Sequence, residues 1–377
     1  LLLALCEGKD RELSLLASWA LGALGSPEAA RLLSEQIRAA EAAEPLLFNG
    51  LARLGGAAGR NALRVFQRLP GQIPGDEDQR SLIEERVQRA LAAGARLDHP
   101  QAASDICAFL AQLPRRRGYP SERSYEVACE ALAERGDSEA ARLLLEHLET
   151  PSTFFFLEEL LEGVSRLGLP GGEGAHERAL ERLAAITRHG QARGLGTNRA
   201  RQLAAQALTR AAPAMARRVL APQVTGMRGT NEVQHAMARC LGLLGATEFV
   251  VERALPVSRR RLRDARGSER VTALNEVGID QLYAGQFSEA LVSFQRIRWV
   301  KPNEWFAAFN SACALAHLGR KDDALRLLRR AIRFGSKDIT HLRFDHDLAS
   351  LRDDPRFARL VAQVRLARET NLAIPVW

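Results

Sequence analysis

The sequence lacks the features that mark several classes of protein. Its 377 residues contain no run of 18 or more apolar residues, so no membrane-spanning helix is expected. The strings HExxH, GxSxG, GxxxxGK and GxGxxG, typical of zinc peptidases, serine hydrolases and nucleotide-binding loops, are also missing. We therefore predict that the chain is not an enzyme and carries no cofactor.

Cysteine is scarce and scattered. The five cysteines are Cys6, Cys107, Cys129, Cys240 and Cys313. They form no CxxC motif and no Cys/His cluster, which argues against both a zinc site and a disulfide framework. Free cysteines in apolar, helical surroundings are usually buried. Free cysteines of this kind are consistent with a location in the reducing cytoplasm.

Lysine is scarce as well, although the chain is basic. Only Lys9, Lys301, Lys321 and Lys337 are lysines among the 53 basic residues. Together with the heavy use of Ala, Gly and Leu, this skew towards arginine is typical of a high-GC bacterial coding bias. The net charge of +8 is consistent with an anionic partner. However, the 45 acidic residues are interleaved with the arginines, so most of this charge is predicted to be solvated helical surface.

A repeated two-helix phrase dominates the first two thirds of the sequence. In ALGALGSPEAARLLSEQI, Gly25 is placed to end one helix, and Ser26 and Pro27 to begin the next. The segment ALAERGDSEAARLLLEHL repeats this phrase at Gly136, and looser copies surround Gly55, Gly168 and Gly245, with weaker turns near Gly94 and Pro213. The turns are spaced by about 37 residues, so this part of the chain resembles HEAT-repeat proteins.

The following stretch matches a second repeat pattern. In ALNEVGIDQLYAGQFSEALVSFQRIRWVKPNE, Gly278 and Ala290 occupy small positions, Phe294 the aromatic position and Pro302 the closing position. A second unit follows with Ala324 in phase, and the segment DLASLRDDPRF resembles the end of bacterial tetratricopeptide (TPR) arrays. This region is similar to TPR proteins.

We therefore predict an all-α protein, a right-handed α-solenoid of HEAT-like helical hairpins followed by two TPR units and a capping helix pair. The predicted divisions are a HEAT-like solenoid over 1–257, a charged connecting helix over 258–270, and a TPR domain with its cap over 271–377. Stacking is needed because a single hairpin cannot bury its own apolar stripe.

In TPR proteins, the first helix of each unit lines a concave groove. The resemblance places the following residues there: Asn275, Ile279, Leu282, Tyr283, Phe306, Phe309, Asn310, Cys313 and His317. This apolar and aromatic set suits a short peptide or a partner helix. Ile279 stands where a TPR carboxylate clamp has an asparagine, so a terminal carboxylate is not the expected ligand.

Two charged groups offer other functions. The segment HLRFDHD places His341 and Asp345 one helical turn apart, but capping of the last TPR helix explains them better than a metal, and no metal site is predicted. Possible contacts to an anionic partner come from Arg259, Arg260, Arg261 and Arg263.

The function that these features favour is a non-catalytic protein–protein interaction scaffold, adaptor or regulatory subunit that binds a peptide or partner helix on its concave surface. One alternative is a nucleic-acid-binding α-solenoid. Another is the recognition or regulatory arm of an enzyme whose catalytic domain lies outside this segment, because the sequence does not begin with Met. The opening LLLALCEGKD is not typical of a signal peptide. The oligomeric state is left open.

Overall fold

The computed structural model describes residues 6, 11–22, 27–40, 44–67, 76–112, 122–136, 138–149, 157–166, 177–189, 197–226, 231–336 and 339–370. Every regular element in these ranges is helical and none is a strand, so the predicted all-α class is confirmed. No helix in the described ranges is both long and apolar enough to cross a membrane. The chain divides into two compact units, built on Leu1–Leu169 and Pro170–Ala367.

The first unit is a succession of short helices that pack on their neighbours in the chain. They are α1 (Arg11–Gly22), α2 (Pro27–Ala39), α3 (Pro45–Arg53), α4 (Gly56–Gln67), α5 (Glu77–Gly94), α6 (Ala102–Gln112), α7 (Glu122–Arg135), α8 (Ser138–Glu149) and α9 (Leu157–Arg166). Odd-numbered helices pack on the next odd-numbered helix, and even-numbered helices on the next even-numbered one. Contacts therefore join each helix mainly to elements close to it in the sequence.

Helices α1 and α3 cross closely because glycine stands at their contact. A Cβ atom on Gly22 would lie 2.1 Å from the carbonyl oxygen of Gly50. Next to this crossing, Leu33 and Leu51 are fully buried, and Phe48 meets Phe66 edge-on at 5.5 Å. These apolar contacts form the core of the first helices.

Three of the predicted helix ends fall at glycines with left-handed backbone angles. Gly55, Gly136 and Gly245 have φ of 63°, 62° and 82° and follow α3, α7 and α13. This conformation suits glycine because it has no Cβ. The other two predicted stops, Gly25 and Gly168, lie outside the described residues.

The second unit continues with helices on both sides of a π-helical turn. Before the turn are α10 (Glu177–His189), α11 (Asn198–Ala211), α12 (Pro213–Gly226), α13 (Glu232–Leu243) and α14 (Thr247–Phe249). After it come α15 (Leu255–Asp264), α16 (Glu269–Tyr283), α17 (Phe287–Val300), α18 (Trp305–His317), α19 (Lys321–Arg333), α20 (Ile339–Phe344), a 3₁₀ helix (His346–Leu351) and α21 (Pro355–Thr370).

The π-helical turn spans Val250–Ala254 and connects α14 directly to α15. The segment predicted as a connecting helix over 258–270 is divided in the structure. Helix α15 ends at Asp264, Gly267 has φ of 53°, and α16 begins at Glu269. The proposed boundary at residue 258 lies inside the second unit, where α15 packs on α16.

Helices α16 and α17 cross closely at Gly278, one of the small positions of the predicted repeat unit. A Cβ atom there would lie 2.4 Å from a ring carbon of Phe294, which is fully buried. Ala290, the other small residue, is also fully buried. The core around this crossing extends through α18 and α19 to Leu348, Phe357 and Leu360.

Candidate functional site

The residues predicted to line a groove have unequal access to solvent. Leu282, Phe309 and Cys313 are buried in the core, whereas His317 is exposed. The other five are half-buried: Asn275, Ile279, Tyr283, Phe306 and Asn310. Phe309 therefore packs as a core side chain, as Leu282 and Cys313 do, and is not exposed as a contact residue would be.

The structure brings two predicted groove amides together. The side-chain nitrogen of Asn310 on α18 donates a hydrogen bond to Oδ1 of Asn275 on α16, at 2.8 Å. Ile279 and Phe306 pack against the core of the same helices. This part of the surface therefore has an amide pair between apolar side chains.

A group of exposed apolar side chains, the tryptophan patch, lies at the junction of α17 and α18. It consists of Trp299, Val300 and Trp305, which expose 82%, 68% and 38% of their surface. The ring of Trp305 meets that of Phe306 edge-on at 6.1 Å, so the patch adjoins the predicted groove. Large exposed apolar groups are typical of interaction sites when they are contiguous.

Basic groups flank the tryptophan patch. A guanidinium nitrogen of Arg330 donates to the carbonyl oxygen of Pro302 at 3.1 Å. Burial, together with the nearby positive charge of Arg330, lowers the pKa of Arg298. Lys301 forms an ion pair with Glu304 at 3.2 Å. The apolar surface is thus bordered by more positive than negative charge.

The helical periodicity of α17 predicts which of its side chains are exposed, although Trp299 is not among the predicted contact residues. On α17 the buried residues Ala290, Phe294 and Ile297 form the apolar stripe. Trp299 lies two positions after Ile297 and therefore off the stripe, on the solvent side. The position of Trp299 relative to this stripe therefore predicts that its side chain is exposed.

A second group, the surface cluster, forms where α18 ends beside the 3₁₀ helix. Nε2 of His317 lies 2.8 Å from Oδ1 of Asp347, and the His317 ring stacks on Phe287 at 4.3 Å with an interplanar angle of 3°. The ring of His346 lies 6.4 Å from that of His317. Asp345 and Cys313 complete the cluster next to Asp347.

Local capping fixes the backbone of this cluster. The backbone N–H of Asp347 donates to Oδ1 of Asp345 at 3.0 Å, which caps the 3₁₀ helix. The hydroxyl of Ser350 donates to the carbonyl oxygen of Ala316 at 3.3 Å, next to His317. Buried Leu348 and Leu351 attach the 3₁₀ helix to the core.

The electrostatics of the surface cluster are dominated by its two carboxylates. Burial and the negative charges of Asp345 and Asp347 raise the pKa of the Cys313 thiol well above its ordinary value. Burial and the same two carboxylates also raise the pKa of Tyr283. From α11, the positive charge of Arg210 interacts with Asp345.

Only part of this cluster is evident in the sequence. The segment HLRFDHD contains Asp345, His346 and Asp347 together with His341, whose side chain lies outside the described residues. The groove prediction includes His317 and Cys313, without a connection to the aspartates. The structure brings the two groups together because α18 and the 3₁₀ helix pack on each other.

A third polar group, the buried triad, joins α13 to α16. Nε2 of His235 lies 2.9 Å from both carboxylate oxygens of Asp280, and Nε of Arg239 donates to Oδ1 at 2.6 Å. Burial alone would raise the pKa of Asp280, but the hydrogen bond from His235 and the charge of Arg239 hold it below its usual range. Ser258 also hydrogen-bonds this carboxylate.

The predicted basic contacts lie on α15. Arg259, Arg260, Arg261 and Arg263 are all exposed. Arg261 also forms an ion pair with Glu276 of α16 at 3.2 Å. The arginines thus form a basic surface on one helix of the second unit.

The chain matches no protein-family model, and no curated protein matches it at a significant level.

Proposed function

We propose that this chain is a non-catalytic protein-interaction module, an α-solenoid that binds an acidic peptide or partner helix bearing apolar side chains. Helices pack on the next helix in the chain and on the one after it, and this pattern supports the solenoid arrangement. The observation that carries the proposed binding is the tryptophan patch of Trp299, Val300 and Trp305.

The chemistry of the patch indicates the kind of partner. Two exposed tryptophans supply large apolar contact areas, and tryptophan is enriched among residues that contribute most to binding. Arg298 and Arg330 lie close together beside the patch and favour a ligand with carboxylates. The half-buried Phe306 extends the apolar surface towards the predicted groove.

A displayed library of random 16-residue peptides tests this function with the whole chain as the immobilised target. We expect enriched peptides to combine acidic residues with aromatic or aliphatic ones. The double variant W299S/W305S should bind an enriched synthetic peptide at least about tenfold more weakly. Titration calorimetry measures the affinity, and circular dichroism checks that the variant keeps its helicity.

The matched control is Val251→Ser, which removes an exposed apolar side chain on the π-helical turn and should leave the affinity unchanged. Equal affinity of wild type and W299S/W305S would contradict the proposed binding surface. Enrichment of no peptide above a bare support would contradict the function itself.

The basic surface of α15 favours a second candidate, binding to nucleic acid. Its exposed arginines offer phosphate contacts, which release counterions. Fluorescence anisotropy with a labelled DNA duplex distinguishes this function, because affinity should fall steeply as salt is raised. Binding that is absent at low salt, or equal in the variant R259A/R260A/R263A, would contradict it.

A further inference from the structure

The surface cluster has the composition of a transition-metal site. One ligand atom each of His317, His346 and Asp347 lie within 4.8 Å of one another. A second set within the same distance consists of Cys313, Asp345 and Asp347. Asp347 is common to both sets, so its carboxylate is close to the two imidazoles as well as to the Cys313 thiol and the Asp345 carboxylate.

We propose that His317, His346 and Asp347 bind a divalent zinc-class ion, with water in the fourth position. This site is independent of the proposed peptide binding.

The ligand geometry is close to what such an ion requires. Bonds of about 2.0–2.2 Å to nitrogen and oxygen in a tetrahedral site put neighbouring ligand atoms roughly 3.3 Å apart. The atoms of His317 and Asp347 are already nearer than this, at 2.8 Å. His346 is exposed at the start of the 3₁₀ helix, so rotation of its side chain can bring its ring nitrogen inward.

The rest of the cluster holds two of the ligands in place. Stacking on Phe287 fixes the plane of the His317 ring. The hydrogen bond from the Asp347 backbone to Asp345 fixes the turn that presents Asp347. In metal sites, groups around the ligands orient them in this way before the ion binds.

The charges facing the cluster favour an added cation. Asp345 and Asp347 contribute two carboxylates, and a ligand atom of Cys313 of α18 lies within 4.8 Å of both. Among the described residues, the positive charge of Arg210 of α11 interacts with Asp345, and a guanidinium nitrogen of Arg352 donates to the backbone carbonyl oxygen of Asp345 at 2.9 Å. Both arginines interact with Asp345, so Asp347 is the carboxylate that would offset the charge of a divalent ion held by His317, His346 and Asp347.

The ligand types decide which ion is expected. Two imidazoles and one carboxylate suit zinc, cobalt or nickel, whereas magnesium and calcium prefer all-oxygen sites. We therefore expect zinc to bind and magnesium to have no effect at the same concentration.

Titration calorimetry of the whole chain tests the site, after treatment with a chelator and with zinc chloride as the ligand. We expect one zinc per chain, and at least tenfold weaker binding in each of H346A and D347N. Cobalt should give the visible absorption of a low-symmetry site without a thiolate charge-transfer band, because Cys313 is not a ligand. The matched control is His189→Ala, which removes a histidine on α10.

Several results would overturn the proposal. They are no zinc binding to the wild type, equal affinity in H346A and D347N, or magnesium binding as tightly as zinc. Loss of binding in H341A with full binding in H346A would assign the ion to a different ligand set. If H346A does not fold, D347N decides alone, because its side chain has almost the same shape as that of aspartate.

Discussion

Among the described residues of the second unit, two histidine–aspartate pairs have the same hydrogen-bonding groups and different surroundings. In the buried triad, His235 contacts an Asp280 side chain that is 0% exposed, and Arg239 supplies a positive charge. In the surface cluster, the side chains of His317 and Asp347 are 26% and 14% exposed, and a second histidine and a second carboxylate lie beside them.

This difference separates a structural contact from a candidate binding site. A buried carboxylate must be neutralised within the protein because water does not reach it. Asp280 is neutralised by Arg239 and by hydrogen bonds, so the triad is complete. The pair of His317 and Asp347 is accessible to solvent, so its nitrogen and oxygen atoms can also bind an ion from solution.

The largest effect should come from removal of the buried carboxylate. We expect Asp280→Ala to lower the free energy of unfolding by about 3–5 kcal/mol, because it leaves the Arg239 charge and His235 without their partner. Urea unfolding followed by circular dichroism measures this loss. A cost below about 1 kcal/mol would mean that the triad resembles the surface pair.

Acid should weaken the triad in a defined direction. The pKa of Asp280 is below its usual range in the folded chain, so its ionised form contributes stability above the unfolded-state pKa of about 3.9. That contribution is lost as the pH falls through the folded-state pKa. The difference in unfolding free energy between wild type and D280N should therefore shrink between pH 5 and strongly acidic pH, and a constant difference would contradict this.

Removing the positive charge of the triad should have an intermediate effect. Arg239→Met keeps much of the side-chain volume but deletes the hydrogen bond to Asp280, and a bond to a charged group contributes about 1.5–3 kcal/mol. Thermal unfolding at neutral pH measures the change. A more stable variant would show that an apolar side chain serves this position better than arginine.

The smallest effect is expected for the surface pair without metal. Asp347→Ala in chelator should cost about 0.5–1.5 kcal/mol, because it removes one hydrogen bond between half-buried side chains and leaves no unpaired buried charge. Urea unfolding in chelator measures this cost, and the same measurement on Asp280→Ala gives the value for comparison. A cost as large as that of the buried triad would remove the distinction between the two pairs.

The sequence predicted those features of the fold that depend on near neighbours. The helix ends at Gly55, Gly136 and Gly245 and the close approach at Gly278 follow from local conformation and from a short repeat. The all-α class follows from the same periodicity.

The candidate sites depended on contacts that periodicity does not contain. His317 and Asp347 are 30 residues apart and meet because a 3₁₀ helix packs on α18. Asp280 lies on α16 within the predicted TPR region, yet its partners come from α13. The phase of the repeat does not distinguish an accessible groove side chain from one covered by the next helix, and Phe309, predicted to line the groove, is buried.

The π-helical turn at Val250–Ala254 takes up one additional residue without changing which face of α15 meets α16. A π turn holds one residue more than an α-helical turn, so the helix after it keeps its orientation. Deletion of one residue here would restore α geometry and leave buried Ser258 facing Asp280. Deletion of one residue in α15 just before Ser258 would instead rotate this side chain by about 100° away from Asp280, because no extra turn absorbs the change there.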